Sequence, residues 1–369
     1  MEIRNIKLVK KDSLNQLSYD VCWSGSSAAV WFETTAELEA DDGDIFLSTC
    51  LLPAMALGET LVIAKPVSPA LLENVNQLQD IYSSWYPKFK KIKIQAEVNR
   101  NTVAAPPTEI ASFFSGGIDS FYSLIKNNHE ITALIYVQGF DVWAHETKFL
   151  EKVHPRMVKI AREFGKKLIT VRTNIHEFSD KFAEWGYEYH GCAMASVAHL
   201  LAPTVKKCFV HSSCGYAYLF PLGSHLLTDH LWGTEKISIT HDGAEATRPG
   251  KVNVVCQNQC ALENLRVCLD RTSGEYNCGT CEKCLRTMLN LHVYDMLRNC
   301  KTFSNNLTFL KVAKIKMKSE KMEYQELLKA MKLNRPRSMH ITSLKIVLIR
   351  CEITTLWRTV KNIFRTIGA

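Results

Sequence analysis

The sequence predicts an α/β fold. A doubly wound parallel sheet is preceded by a small α+β unit, carries a cysteine knuckle, and is followed by a basic helical tail. Three observations predict it. Between Thr108 and His211, apolar runs of strand length alternate with stretches of helical spacing, the pattern of strand–helix–strand units on a parallel sheet. The first of those runs, Ile110–Phe114, breaks into Ser115-Gly116-Gly117-Ile118-Asp119-Ser120, and a helical stretch follows at once. Late in the chain, Cys268, Cys278, Cys281 and Cys284 fall at spacings that suit one metal ion.

Residues 1–100 read as the small α+β unit. Ile3–Val9, Leu17–Trp23 and Ala28–Phe32 have strand character, with Trp23-Ser24-Gly25-Ser26-Ser27 as a hairpin turn. Asp44–Leu57 predicts a short helix ended by Gly58, and Leu61–Ala64 a further strand. Ser68-Pro69 opens a second helix to about Tyr86, with serine as cap and proline in the first turn. Lys91–Ala96 alternates as a strand does. Asp41, Asp42 and Asp44 read as a solvated acidic turn. Asn99–Pro107, polar and then proline-rich, is the expected linker.

The second unit, 108–300, holds the sheet. Strands are expected at Ile131–Val137, Lys167–Val171, Lys207–His211 and Ile237–Thr240, with helices over Glu146–Phe164 and Gly191–Leu201. Ligands of such sheets sit beyond the carboxyl ends of the strands, where Ser115–Ser120, Gln138-Gly139 and Ser212–Gly215 would lie. The glycines at 116 and 117 remove side chains that would keep a polyanion from the backbone. The N–H groups and dipole of the first helical turn favour negative charge. Ser115 and Ser120 add hydroxyl donors, and Asp119 can hold Mg2+ or a water bound to it. A phosphate group fits this loop.

Beyond the fourth strand of this unit, SSCGYAYLFPLGSHLLTDHLWGTE is too long for a plain connector. It reads either as a substrate loop, with Ser213, Ser224, His225 and Asp229 as candidate contacts, or as a folded-over surface loop whose histidines bond locally. Arg248 and Lys251 are cations beside an expected helix start or turn.

Composition narrows the class. The chain of 369 residues is long enough for two or three domains, and its 46% apolar and 22% charged residues are ordinary for a globular protein. No stretch has the length to span a bilayer, and MEIRNIKLVKKD lacks an apolar signal core, so a cytoplasmic protein without membrane partners is expected. Thirteen cysteines then argue for metal binding rather than disulfides. The net charge of +8 is uneven: from Lys301 onward 15 Lys and Arg face 4 Asp and Glu, which leaves the first 300 residues slightly acidic. This tail, 301–369, predicts helices at Tyr324–Leu333 and Ser343–Ile367. Its basic residues read as a solvated or partner-docking surface, with nucleic acid as the other phosphate-bearing possibility.

SGGIDS resembles the loop of the PP-loop ATP pyrophosphatases, which split ATP between the α and β phosphates and adenylylate a substrate. It is not a Walker loop, because no Lys-Ser or Lys-Thr closes it. The resemblance implies a PP-loop (HUP-like) sheet, MgATP as cofactor, and Ser115, Gly116, Gly117, Ile118, Asp119, Ser120 and Gln138 around it. It also implies Arg248 or Lys251 as the basic group near the phosphates. The cysteine spacing C-x9-C-x2-C-x2-C (268–284) suits a structural zinc site. An iron–sulfur cluster and a redox dithiol are the competing chemistries, and Cys256 and Cys260 lie close by as rival ligands.

Together the loop and the CGTCEKC knuckle resemble the 7-cyano-7-deazaguanine synthase group of queuosine-pathway ligases, over about Thr108–Met288. YVQGFDVWAHETKFLE is similar to the group's glutamine-and-histidine segment through Gln138, Gly139, His145 and Glu146. Tyr189-His190-Gly191 and the 215–232 loop depart from the group's pattern. The resemblance therefore implies an ATP-dependent ligase acting on a nucleobase-like or other acceptor with an amine donor. Sulfur transfer to tRNA and a non-catalytic nucleotide-binding subunit of a larger complex are the alternatives. The front unit and the tail are the expected partner surfaces.

Overall fold

In strands β1 (Glu2–Lys11), β2 (Leu14–Trp23) and β3 (Ser26–Thr34), alternate residues point inward. Leu17, Tyr19 and Val21 of β2 and Val30 and Phe32 of β3 are buried, and their neighbours are not. Ser24 and Gly25 both have positive φ (39° and 78°), the turn whose twist matches that of a two-residue hairpin. The computed structural model describes residues 1–11, 14–99, 107–270, 274–304, 306–317 and 320–367. Residues 100–106 of the expected linker lie outside the described residues.

Helix α1 (Asp44–Leu57) ends at Gly58, whose φ of 70° is the left-handed cap. Strand β4 (Leu61–Val67), helix α2 (Pro69–Trp85) and strand β5 (Ile94–Val98) follow. Then come β6 (Glu109–Phe113), α3 (Ile118–Lys126), β7 (Ala133–Gln138), α4 (Thr147–Glu163), β8 (Lys167–Thr173), α5 (Ile175–Ser179) and α6 (His190–Leu200). A π-helical turn, Trp185–Tyr189, leads into α6. Strands β9 (Val205–His211) and β10 (Ser238–Asp242) complete the sheet. Helices α7 (Arg248–Val255), α8 (Gln259–Asn264), α9 (Glu282–Val293), α10 (Phe309–Ala313), α11 (Lys321–Asn334) and α12 (His340–Ile367) make up the rest.

Among the described residues ten strands lie in one mostly parallel sheet of order β10-β9-β6-β7-β8-β3-β2-β1-β4-β5. Strands β6 to β10 are mutually parallel, and numbered by chain order they run 3-2-1-4-5 when read from β8 to β10. That is the doubly wound order, and its reversal point lies between β6 and β9. The front segment does not form a small sheet of its own. Phe32, Glu33 and Thr34 of β3 pair antiparallel with Thr173, Arg172 and Val171 of β8, so β1–β5 extend the same sheet.

Two compact units result. The first comprises Met1–Ser115, Ser123–Ser212 and Leu219–Ala244, and the second Gly116–Tyr122, Ser213–Tyr218 and Glu245–Ala369. In the first, α1 and α6 are buried on nearly every face, so their polar groups bond to one another. Tyr19 Oη donates to Thr49 Oγ1 (3.0 Å), Thr49 Oγ1 to Ser196 Oγ (3.1 Å), and Tyr189 Oη to the Thr49 carbonyl (2.7 Å). Of the acidic turn only Asp41 is solvated as expected. Asp42 and Asp44 are buried; Asp42 is held by Lys236 (2.8 Å), and Asp44 accepts the Ser68 N–H (2.7 Å). In the second unit the tail is packed rather than free, with Tyr324, Leu327, Met331, Leu344 and Val347 buried.

Candidate functional site

The loop after β6 has the form that close approach to its backbone requires. Gly116 sits at φ 78°, and its carbonyl accepts the Arg266 N–H (2.8 Å). Ser120 Oγ donates to the Gly117 carbonyl (3.0 Å), closing the first turn of α3. The N–H groups of Ile118, Asp119 and Ser120 open that helix, where no preceding turn supplies an acceptor. Ser115 is exposed and belongs to the first unit.

Asp119 is where the second unit concentrates charge. Arg248 Nη1 donates to its Oδ2 at 2.7 Å and Lys251 Nζ to its Oδ1 at 3.0 Å. Both cations come from the start of α7, whose N-cap Thr247 accepts the Gly250 N–H (3.3 Å); their spacing of three puts them on one helix face. Only 2% of the Lys251 side chain is exposed, a burial that a charged ammonium sustains only with a partner such as Asp119. Burial works to raise the Asp119 carboxyl, but Arg248 and then Lys251 outweigh it and hold the group well below the usual carboxylate range. Cys214 lies in the field of the same three groups, and burial pushes its thiol up to about 11.

Four further residues tie into this group, none of them given a role there from the sequence. Arg248 Nη2 faces Glu323 Oε1 of α11 at 3.9 Å, and Arg286 Nη1 of α9 is ion-paired with Glu323 Oε2. Arg286 Nε lies 3.1 Å from Glu282 Oε1, which also accepts from Tyr324 Oη (2.7 Å). One signal was legible: Glu320, at the cap of α11, and Glu323 and Glu326 within it are three of the tail's four acidic residues, at a spacing of three.

The candidate substrate loop behaves differently. In the first unit, Asp229 is buried and accepts from Ser224 Oγ (2.7 Å), the His225 N–H (3.0 Å) and His241 Nδ1 (2.7 Å). The His225 ring meets Trp85 edge-on at 4.9 Å. Ser224, His225 and Asp229 are thus drawn inward as one network, while Ser213 is exposed in the second unit. Gln138 ends β7 opposite Arg172 of β8. The following Gly139 has no room for a side chain, because a Cβ there would lie 1.9 Å from the Thr173 carbonyl oxygen. Beyond these strands Phe140, Trp143, His176, Trp185 and His190 cluster, with the His176 and Trp185 rings stacked at 3.8 Å. The sequence reading missed this cluster, since its rings come from three separate segments.

Cys268, Cys278, Cys281 and Cys284 converge in the second unit with all four sulfur atoms within 4.8 Å of one another. Cys268–Cys281 and Cys278–Cys284 are each 3.9 Å apart, against an edge of about 3.8 Å for a tetrahedron of sulfurs around zinc. Gly279 at φ 65° makes the turn between the first pair, and the Cys281 N–H points at Cys278 Sγ (3.2 Å). Asn277 fixes the far strand of the loop, accepting the Val267 N–H (2.9 Å) and donating to the Leu265 carbonyl (2.8 Å). Cys268, Cys281 and Cys284 share their protons unevenly. Hydrogen bonds from Cys268 and then Cys284 hold Cys281 far down, and the bond to Cys281 pushes Cys268 up to about 11. A bound cation would replace those protons. Cys256 and Cys260 stand outside the group.

No protein-family model, curated protein or solved structure matches the chain. Among the described residues, no helix is long and apolar enough to cross a membrane.

Proposed function

We propose that this chain is an ATP-dependent adenylylating ligase, similar to the 7-cyano-7-deazaguanine synthase group, with a structural zinc in its four-cysteine knuckle. The observation that carries the reading is the convergence of Arg248 and Lys251 on Asp119 at the first turn of α3, directly after a glycine-bared loop. In this reading the main-chain N–H groups of Gly117–Ser120 cradle the pyrophosphate, and Asp119, parted from its two cations, would hold Mg2+, which would offset phosphate charge. Arg248 and Lys251, released from Asp119, neutralise the charge that grows on the leaving group. An acceptor oxygen bonds to the α-phosphorus as the bond to the bridging oxygen breaks, giving an acceptor–AMP ester and pyrophosphate. An amine then displaces AMP. Positioning and electrostatics do most of this chemistry.

Zinc is favoured over an iron–sulfur cluster because the sulfurs close around the space of a single ion, whereas cluster thiolates bind separate irons. The same closure disfavours sulfur transfer through Cys281, which needs a thiolate free to react. The experiment is product analysis. With Mg2+, ATP and a panel of nucleobase carboxylates plus ammonia, AMP and pyrophosphate should accumulate in equal amounts. Formation of ADP and phosphate, or no turnover with any acceptor, contradicts the reading.

A further inference from the structure

Arg248 is held from two sides. Its Nη1 engages Asp119 Oδ2, and its Nη2 is drawn the other way, toward Glu323 Oε1 on α11. Glu323 cannot easily follow it, because Arg286 grips its second oxygen from behind and is itself held by Glu282 at the start of α9. Glu326, one turn along α11, meets the backbone N–H of Arg248. The guanidinium fork favours two parallel bonds to one carboxylate. Here Glu323 works against that by keeping the second Arg248 nitrogen away, whereas Lys251 on Asp119 Oδ1 takes only one of that oxygen's two lone pairs.

We propose that Glu323 is a positioning residue for Arg248, so that the C-terminal helix α11 is a working part of the anion site rather than a docking appendage. This rests on the nucleotide reading above and names the group that sets its arginine. A glutamine at 323 keeps the shape but loses the charge. Both Arg248 nitrogens can then close on Asp119, and an incoming phosphate has to open that clamp. Simple Coulomb attraction has the opposite sign, because removing a carboxylate makes the surroundings more positive and draws anions in. The two effects are separable by experiment.

Calorimetric titration with MgATP of the wild-type chain, E323Q, E323D, R248Q and the E323Q/R248Q double variant forms the test, with circular dichroism and metal content as folding controls. E323Q is expected to bind roughly tenfold more weakly than wild type, and E323D, which keeps the charge, to recover most of the loss. In the R248Q background E323Q should change affinity by less than about twofold, because its effect passes through Arg248. Equal affinity of E323Q and wild type, tighter binding by E323Q, or the same loss in both backgrounds overturns the proposal while leaving the nucleotide reading intact. Absence of MgATP binding by the wild-type chain removes both.

Discussion

Asp119 satisfies a lysine that is otherwise sealed from water, which ties a proposed functional residue to stability. Its folded-state affinity for a proton is depressed, so its stabilising effect is complete above the unfolded value of about 4. That effect is lost as pH falls through the folded value. D119N should therefore cost about 3 kcal/mol at neutral pH by removing the negative charge that Arg248 and Lys251 share, and should flatten the acid limb of a urea-midpoint profile. An unchanged profile would mean that the pair contributes nothing. Asp44 has the opposite sign. Burial, and then Asp42, push it up to about 6 against the pull of His199 and Ser68. Its contribution is fully present below pH of about 4 and fades as pH rises through 6, a loss of about 3 kcal/mol over two units. D44N, which retains an acceptor for the Ser68 N–H, should remove that slope between pH 4 and 7 in the same measurement. At this scale the sequence was only partly legible. SGGIDS and the cations at 248 and 251 stood out by type and spacing, but the burial of Asp42 and Asp44 depends on Lys236 and Ser68, which no local pattern connects to them.

Single elements were the most legible level, because caps and periodicity are local. Asp44–Leu57 with Gly58, and Ser68-Pro69 opening α2, matched their expected bounds closely. The knuckle was equally plain, since Cys-x-x-Cys turns set the reach of their own sulfurs. What local pattern could not give was the role of α11. A helix in a segment of strong positive charge reads as solvated, yet its inward face carries Glu323 and Glu326 against Arg248 and Arg286. The knuckle carries its own prediction. Elemental analysis of the purified chain should find about one zinc per molecule and no iron. A strong chelator should lower the melting temperature, and C278S or C284S should reduce metal content and stability together. Loss of turnover in C281S with zinc and melting temperature unchanged would instead indicate a reactive thiol.

Across the whole molecule, the parallel half of the sheet was legible and its extent was not. Alternation of strands and helices after Thr108 leaves few topologies open, and the order from β8 to β10 is a doubly wound one. The β3–β8 pairing joins segments about 140 residues apart through a strand edge, and the proline-rich stretch at 99–107 gives no sign of it. The functional account depends on one relation between parts of the chain: the loop after β6 and the start of α7 serve the same phosphate groups. A crystal structure with Mg2+ and the non-cleavable analogue α,β-methylene-ATP tests this most directly. Phosphate oxygens should lie within hydrogen-bond distance of the main-chain nitrogens of Gly117–Ser120, with Arg248 and Lys251 turned from Asp119 toward them. Phosphates bound elsewhere, with both cations still clasped to Asp119, would contradict the account.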